Sequence, residues 1–211
     1  MWSNFAYYAT LGFESLVGIF GIRLYEEPRY DIVGRLGDHV EIRSYAPRLA
    51  AEVELSGAGE ANRGQAFRLL FAYISGANQA QNGGSAKIAM TAPVEVRSTE
   101  KLAMTVPVQV SETNDLVRMV FYLPASISAD AAPKPVDGRV RIVTAPSETI
   151  ATLRFSGSSD GAAGRQLELI AALRGSRWNP TGAPYMLSYD PPFALPFLRR
   201  NEAAVAVAEA R

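Results

Sequence analysis

The chain has 211 residues, room for one large domain or two small ones, and 48% of them are apolar, enough to build a core. Its 21 basic and 21 acidic side chains cancel, so no basic field exists to attract nucleic acid. Cysteine is absent and His39 is the one histidine, which excludes disulfides, thiolate ligation, Cys nucleophiles and a multi-histidine metal site.

The first segment, residues 1–24, is mostly apolar from Phe5 to Ile22. On a helical wheel Ser3, Asn4, Thr10, Glu14 and Ser15 share one side. Trp2, Phe5, Leu11, Phe13, Leu16, Val17, Ile19 and Phe20 fill the rest. This pattern predicts an amphipathic helix, docked on its own domain, on a second subunit or on a membrane surface, with a membrane span as the remaining alternative. No Lys or Arg precedes it, which disfavours a signal peptide. Residues 25–38 are expected to be a linker leading into one domain over 39–211.

Within that domain a unit recurs at an offset of one hundred, with halves near 39–123 and 139–208. Val40 and Ile42 meet Val140 and Ile142, Ala51 meets Ala151, Ser56-Gly57 meets Ser156-Gly157, and Leu69 meets Leu169. Each copy opens with an alternating, strand-like run, is broken by a proline (Pro47, Pro146), and resumes alternation at Ala51, Val53, Leu55 or Ala151, Leu153, Phe155. The inward parity changes across each proline, so a turn or bulge belongs there. A helix follows in each copy. Phe67, Leu70, Phe71 and Ile74 stand at i, i+3, i+4, i+7 in the first, and Leu167, Ile170 and Ala171 mark the second. Asp160 is a candidate N-cap, and Gly76 and Gly175 are candidate helix ends.

After the helix of the first half a ten-residue segment is written twice, KIAMTAPVEV from Lys87 and KLAMTVPVQV from Lys101, with seven identical positions. The four intervening residues suit a hairpin that places Val96 near Lys101 and Met90 near Pro107. Strands are also expected at Leu116 to Leu123, at Tyr185 to Tyr189 and over Ala203 to Val207. The sum is an α+β domain of about eight mainly antiparallel strands and two long helices, two β-α-β-β-like halves related by a pseudo-twofold.

The chain resembles the SOUL family of haem-binding proteins in VEIRSYAPRLAAEV (Val40–Val53), AFRLLFAYISGAN (Ala66–Asn78), KIAMTAPV, KLAMTVPV, MVFYLPA (Met119–Ala125), PKPVDGRVRI (Pro133–Ile142), LRFSG (Leu153–Gly157) and YDPPFALPFLRRNE (Tyr189–Glu202). These segments occur in family order over most of the chain. The resemblance implies a distorted eight-stranded β-barrel flanked by two helices. It also implies non-covalent binding of haem or a related tetrapyrrole, as a reversible carrier or buffer without enzymatic activity. Where some members carry a histidine before the first-strand tyrosine, this chain has Ser44. Others hold haem in an apolar pocket beside the first helix, which maps to Phe67, Leu70, Phe71 and Ile74. The later basic position of that helix is Ala72 here, so Arg63 and Arg68 are the local cations for propionates.

Met90 and Met104 supply polarizable thioethers for that apolar surface, and with His39 they are the candidate axial ligands. Tyr45 and Tyr73 are weaker candidates as phenolates. Arg199 and Arg200 could meet propionates or pair with Glu202. Two other functions compete. The N-terminal helix could act alone, by peripheral membrane contact or self-association through residues 1–22; the expected compartment is the cytoplasm, with the membrane periphery as the alternative. Alternatively the fold could sense or hydrolyse a small molecule with a carboxylate among Glu41, Glu52, Glu54, Glu95 and Glu148, of which Glu52 and Glu54 are expected to face water.

Overall fold

A computed structural model describes residues 25–57, 59–98, 116–157, 161–190 and 194–210. The expected N-terminal helix, the second Met-Thr-x-Pro-Val copy with Met104, and Asp160 lie outside these residues. In chain order the elements are β1 (Asp31–Leu36), β2 (Val40–Tyr45), β3 (Arg48–Ser56), α1 (Glu60–Ile74), β4 (Asn78–Gln79), β5 (Val94–Ser98), β6 (Leu116–Tyr122), β7 (Lys134–Pro135), β8 (Val140–Ala145), β9 (Glu148–Ser156), α2 (Ala162–Leu173), β10 (Trp178–Pro180), β11 (Tyr185–Ser188) and β12 (Arg200–Glu209). Gly76 and Gly175 follow the two helices with φ of 119° and 75°, left-handed values that suit glycine at a helix end.

Ten strands form one antiparallel sheet in the order β1-β2-β9-β12-β11-β5-β6-β3-β8, with β10 added to β12. β4 and β7 pair separately. The bounds of β8 and β9 follow those of β2 and β3 at the offset of one hundred. The registers match as well: Val40 stands opposite Leu153 and Ile42 opposite Ala151, while Val140 stands opposite Val53 and Ile142 opposite Ala51. β2 lies near one end of the sheet and β3 near the other, yet only Ala46 and Pro47 join them. Three Cα steps span at most about 11 Å, so the ends must approach and the sheet must curl. Pro146 and Ser147 make the mirror crossing from β8 to β9.

Among the described residues the ladder forms a curled, half-barrel sheet rather than the expected closed eight-stranded barrel. β2 gives its outer edge to β1, and β8 pairs only with β3 among the described residues, which leaves the two ends of the sheet unjoined there. β1 lies where a linker was expected. Its Ile32 and Val33 are adjacent and both exposed, so it carries no alternating signal. The second arm of the hairpin expected within the repeated segment lies outside the described residues. In the first arm, Val96 has Met119 of β6 on one side and Met186 of β11 on the other.

The parity change across Pro47 now has a physical cause. Val40 and Ile42 pack with Leu169 and Leu173 of α2, whereas Ala51 and Val53 pack with Leu70 and Ile74 of α1. The linker carries the chain from one half of the convex face to the other. α1 therefore covers β3, β6 and β8, and α2 covers β9, β10 and β12. The opposite, concave face carries tyrosines, arginines and glutamates.

Candidate functional site

Helix α1 buries Ala66, Leu70, Tyr73 and Ile74 against the sheet. At 100° per residue the line Arg63–Phe67–Phe71 then runs along one flank of the helix. The sequence stripe is thereby split. Leu70 and Ile74 are core side chains and present no surface to a ligand, because the sheet occupies their side of the helix. Phe67 is half-buried and Phe71 is 37% exposed.

The two phenylalanine rings stack nearly parallel, centroids 6.0 Å apart and 10° between planes. Phe67 also meets Phe121 of β6 edge-on at 5.5 Å. The result is a flat aromatic ledge with a packed base. Met90 packs on the same cluster, half-buried. Arg63 stands one turn before Phe67 and pairs with Glu60 at 3.7 Å. Such a ledge can offer a ring face to a planar apolar ligand, with a thioether and a guanidinium within the same region.

The other expected iron ligands are not gathered here. His39 is exposed, between β1 and β2, in the half of the sheet that α2 covers. Burial pushes Tyr45 and Tyr73 up to about 12, so neither is a phenolate near neutral pH. The Tyr73 hydroxyl also donates to the Pro133 carbonyl at 2.9 Å. Among the described residues no group of three or more His, Asp or Glu could hold a metal ion.

The concave face holds polar clusters that the sequence reading did not assemble. Glu202 is 0% exposed and accepts from Arg43 Nη1 at 2.6 Å, Arg200 Nη2 at 2.8 Å and the Tyr189 hydroxyl at 2.8 Å. Burial alone would raise its carboxyl, but these donors outweigh burial and hold it below the usual range. Glu95 accepts from the Tyr122 hydroxyl at 2.6 Å and from Arg97 Nε at 2.7 Å. Glu52, expected in water, is 5% exposed and sits between Arg118 at 2.6 Å and Arg141 at 2.9 Å. A signal was present in the chain: Glu41-x-Arg43, Glu95-x-Arg97 and Arg200-x-Glu202 each place opposite charges on one strand face. Arg200 thus pairs with Glu202 and Glu27, and Arg199 donates to the Ala194 carbonyl.

These charges are committed to one another, so the concave clusters look structural in what they can do: they brace strands. Glu95, Glu52 and Glu202 each already carry two or more donors. The ledge on α1 is the more open surface.

Comparison with solved structures agrees with this fold. The C-terminal domain of EcmrR aligns with a TM-score of 0.57 and 11% identity, covering 86% of this chain and 99% of that one. An uncharacterized conserved protein from Listeria innocua aligns with a TM-score of 0.57 and 12% identity, covering 81% and 92%. A structure described as a hydrolase from Listeria innocua gives 0.51 at 12% identity over the same shares. At such identities the likeness is one of fold alone. No curated protein matches the chain. The pattern of one sequence family covers residues 25–206, nearly every described element, and by that match the chain belongs to the SOUL heme-binding protein family.

Proposed function

We propose that this protein binds haem or a related tetrapyrrole, reversibly and without covalent attachment, on the α1 flank, and acts as a carrier or buffer rather than as an enzyme. Family membership supports the ligand class. The observation that carries the location is the stacked Phe67–Phe71 pair, with Phe71 among the exposed large apolar side chains. A tetrapyrrole face laid on Phe71 would cover that ring and gain the usual benefit of apolar burial, about 25 cal/mol per Å2. Arg63 is the cation placed to meet a propionate, and Met90 is the thioether nearest in sequence to this surface. Met104 belongs to the same proposal through its repeat.

The test is a visible-absorption titration of the full chain with ferric haem, against a non-binding control protein. A saturable one-to-one Soret shift is expected. Phe71→Asp should weaken it at least tenfold while leaving the fold intact, since Phe71 lies outside the core. Phe67→Asp is a poorer probe, because Phe67 also packs on Phe121. Met90→Ala and Met104→Ala should change the Soret position if a thioether ligates iron, and His39→Ala should leave it unchanged. Unaltered affinity in folded Phe71→Asp would remove the ledge as the site.

A further inference from the structure

A second recess, of about 410 Å3, opens where the β2–β3 linker crosses the end of the curled sheet. That volume lies within the range of small-molecule sites. Its walls are largely apolar and rigid, with Pro28, Pro47, Leu49, Pro124 and Ile127 among them. Leu49 and Ile127 back onto the α1 core, so the recess and the ledge are separated by packed side chains.

Arg48 and Tyr122 also line the recess. The Arg48 guanidinium carbon stands 4.0 Å from the Tyr45 ring centroid and 4.4 Å from that of Tyr122, so two rings hold the cation in place. One of its terminal nitrogens donates to Glu148. Its Nε is buried and has no acceptor among the described residues. The side chain keeps 12% of its surface open, and an anion meeting the guanidinium there would form a charge-assisted hydrogen bond.

Of the other polar lining residues, Thr91 and Glu26 are already committed, Arg29 is cationic and Thr144 is an exposed hydroxyl. The Thr91 hydroxyl donates to the Tyr122 carbonyl, and Glu26 accepts the Ala125 backbone N–H at 2.9 Å. Glu26 is the one acidic lining residue, against Arg29 and Arg48. Proline and tyrosine surfaces around a fixed guanidinium match a flat ring system that carries a single acid.

We infer that this recess is a second binding site, distinct from the α1 ledge, for fused-ring monocarboxylates, with Arg48 as the anchoring donor and Arg29 at the rim. The fixed guanidinium selects the acid over its neutral twin, since a neutral amide oxygen is a weaker acceptor for a charged donor.

The experiment is calorimetric titration of the full chain with 2-naphthoate and with 2-naphthamide. Saturable one-to-one binding of the acid is expected, with the amide at least tenfold weaker. Ala125→Trp, an exposed lining position, should block both without touching Arg48. Arg48→Gln should abolish the preference for the acid. If that variant fails to fold, Arg29→Gln and Ala125→Trp still test the site. Two crossed arms separate this inference from the haem reading. Phe71→Asp should leave naphthoate binding unchanged, and Ala125→Trp should leave the haem titration unchanged. Absence of saturable heat, or equal affinity for acid and amide, overturns the inference. Displacement of haem by naphthoate also overturns it, because the two surfaces would then share one ligand, while haem binding itself would stand.

Discussion

The two faces of the curled sheet solve opposite problems with the same strands. On β12, Ala203, Val205 and Val207 turn to the convex side and pack with Leu169 and Leu173 of α2. Glu202, one residue away, turns to the concave side and is buried with two arginines and a tyrosine. The convex core needs only shape and apolar area. The concave face must also match every charge, because a buried ion is tolerable only with its partners in place. The convex face should therefore fail gradually on truncation, and the concave face abruptly.

The largest effect should come from breaking the concave side. Glu202→Ala leaves Arg43, itself 3% exposed, without its main partner. A loss of about 3–5 kcal/mol is expected, read from denaturant unfolding, because Arg43 and Arg200 lose their shared buried carboxylate and keep only the more exposed Glu41 and Glu27. A loss under about 1 kcal/mol would mean that water reaches Arg43 and that the face is not closed.

Next come the two helix contacts. Leu70→Ala and Leu169→Ala remove side chains that are both 0% exposed, one under each helix. Each should cost about 2–5 kcal/mol, and similar values would show that the two halves carry similar weight. A value near zero for either would show that its helix is not part of the cooperative core.

The pH dependence separates the buried acid from the buried tyrosines. The Glu202 pKa is lowered in the folded state, so its contribution is present above the usual glutamate value of about 4.3 and lost as pH falls through the lower folded value. Unfolding midpoints at neutral and acidic pH should drop less in Glu202→Gln than in the native chain. Burial raises Tyr45 and Tyr73 to about 12, so their contribution is intact below about 10 and fades as pH climbs towards the folded value. Tyr45→Phe should flatten that alkaline slope, and an unchanged slope would argue against it.

The smallest effect belongs to neither face. Arg165 and Glu168 pair at 2.7 Å on α2 with about half of each side chain in solvent. Arg165→Ala should change stability by less than about 1 kcal/mol in the same unfolding assay.

Local structure was legible in the chain. The offset of one hundred marked β2, β3, β8 and β9, and the glycines after the two helices marked where they end. Family order identified the class of protein. These follow from the sequence because periodicity and left-handed glycines record geometry within a few residues. What only the tertiary structure decided was which edges meet and which faces are covered. β5 joins β6 and β11, and β1 takes the outer edge of β2. Leu70 and Ile74 go to the core while Phe71 stays on the flank, although all belong to one sequence stripe. Arg43 finds Glu202 across 159 residues of chain. Alternation gave each of those charges a face, but burial depends on elements that arrive from far along the chain, and no local pattern specifies them.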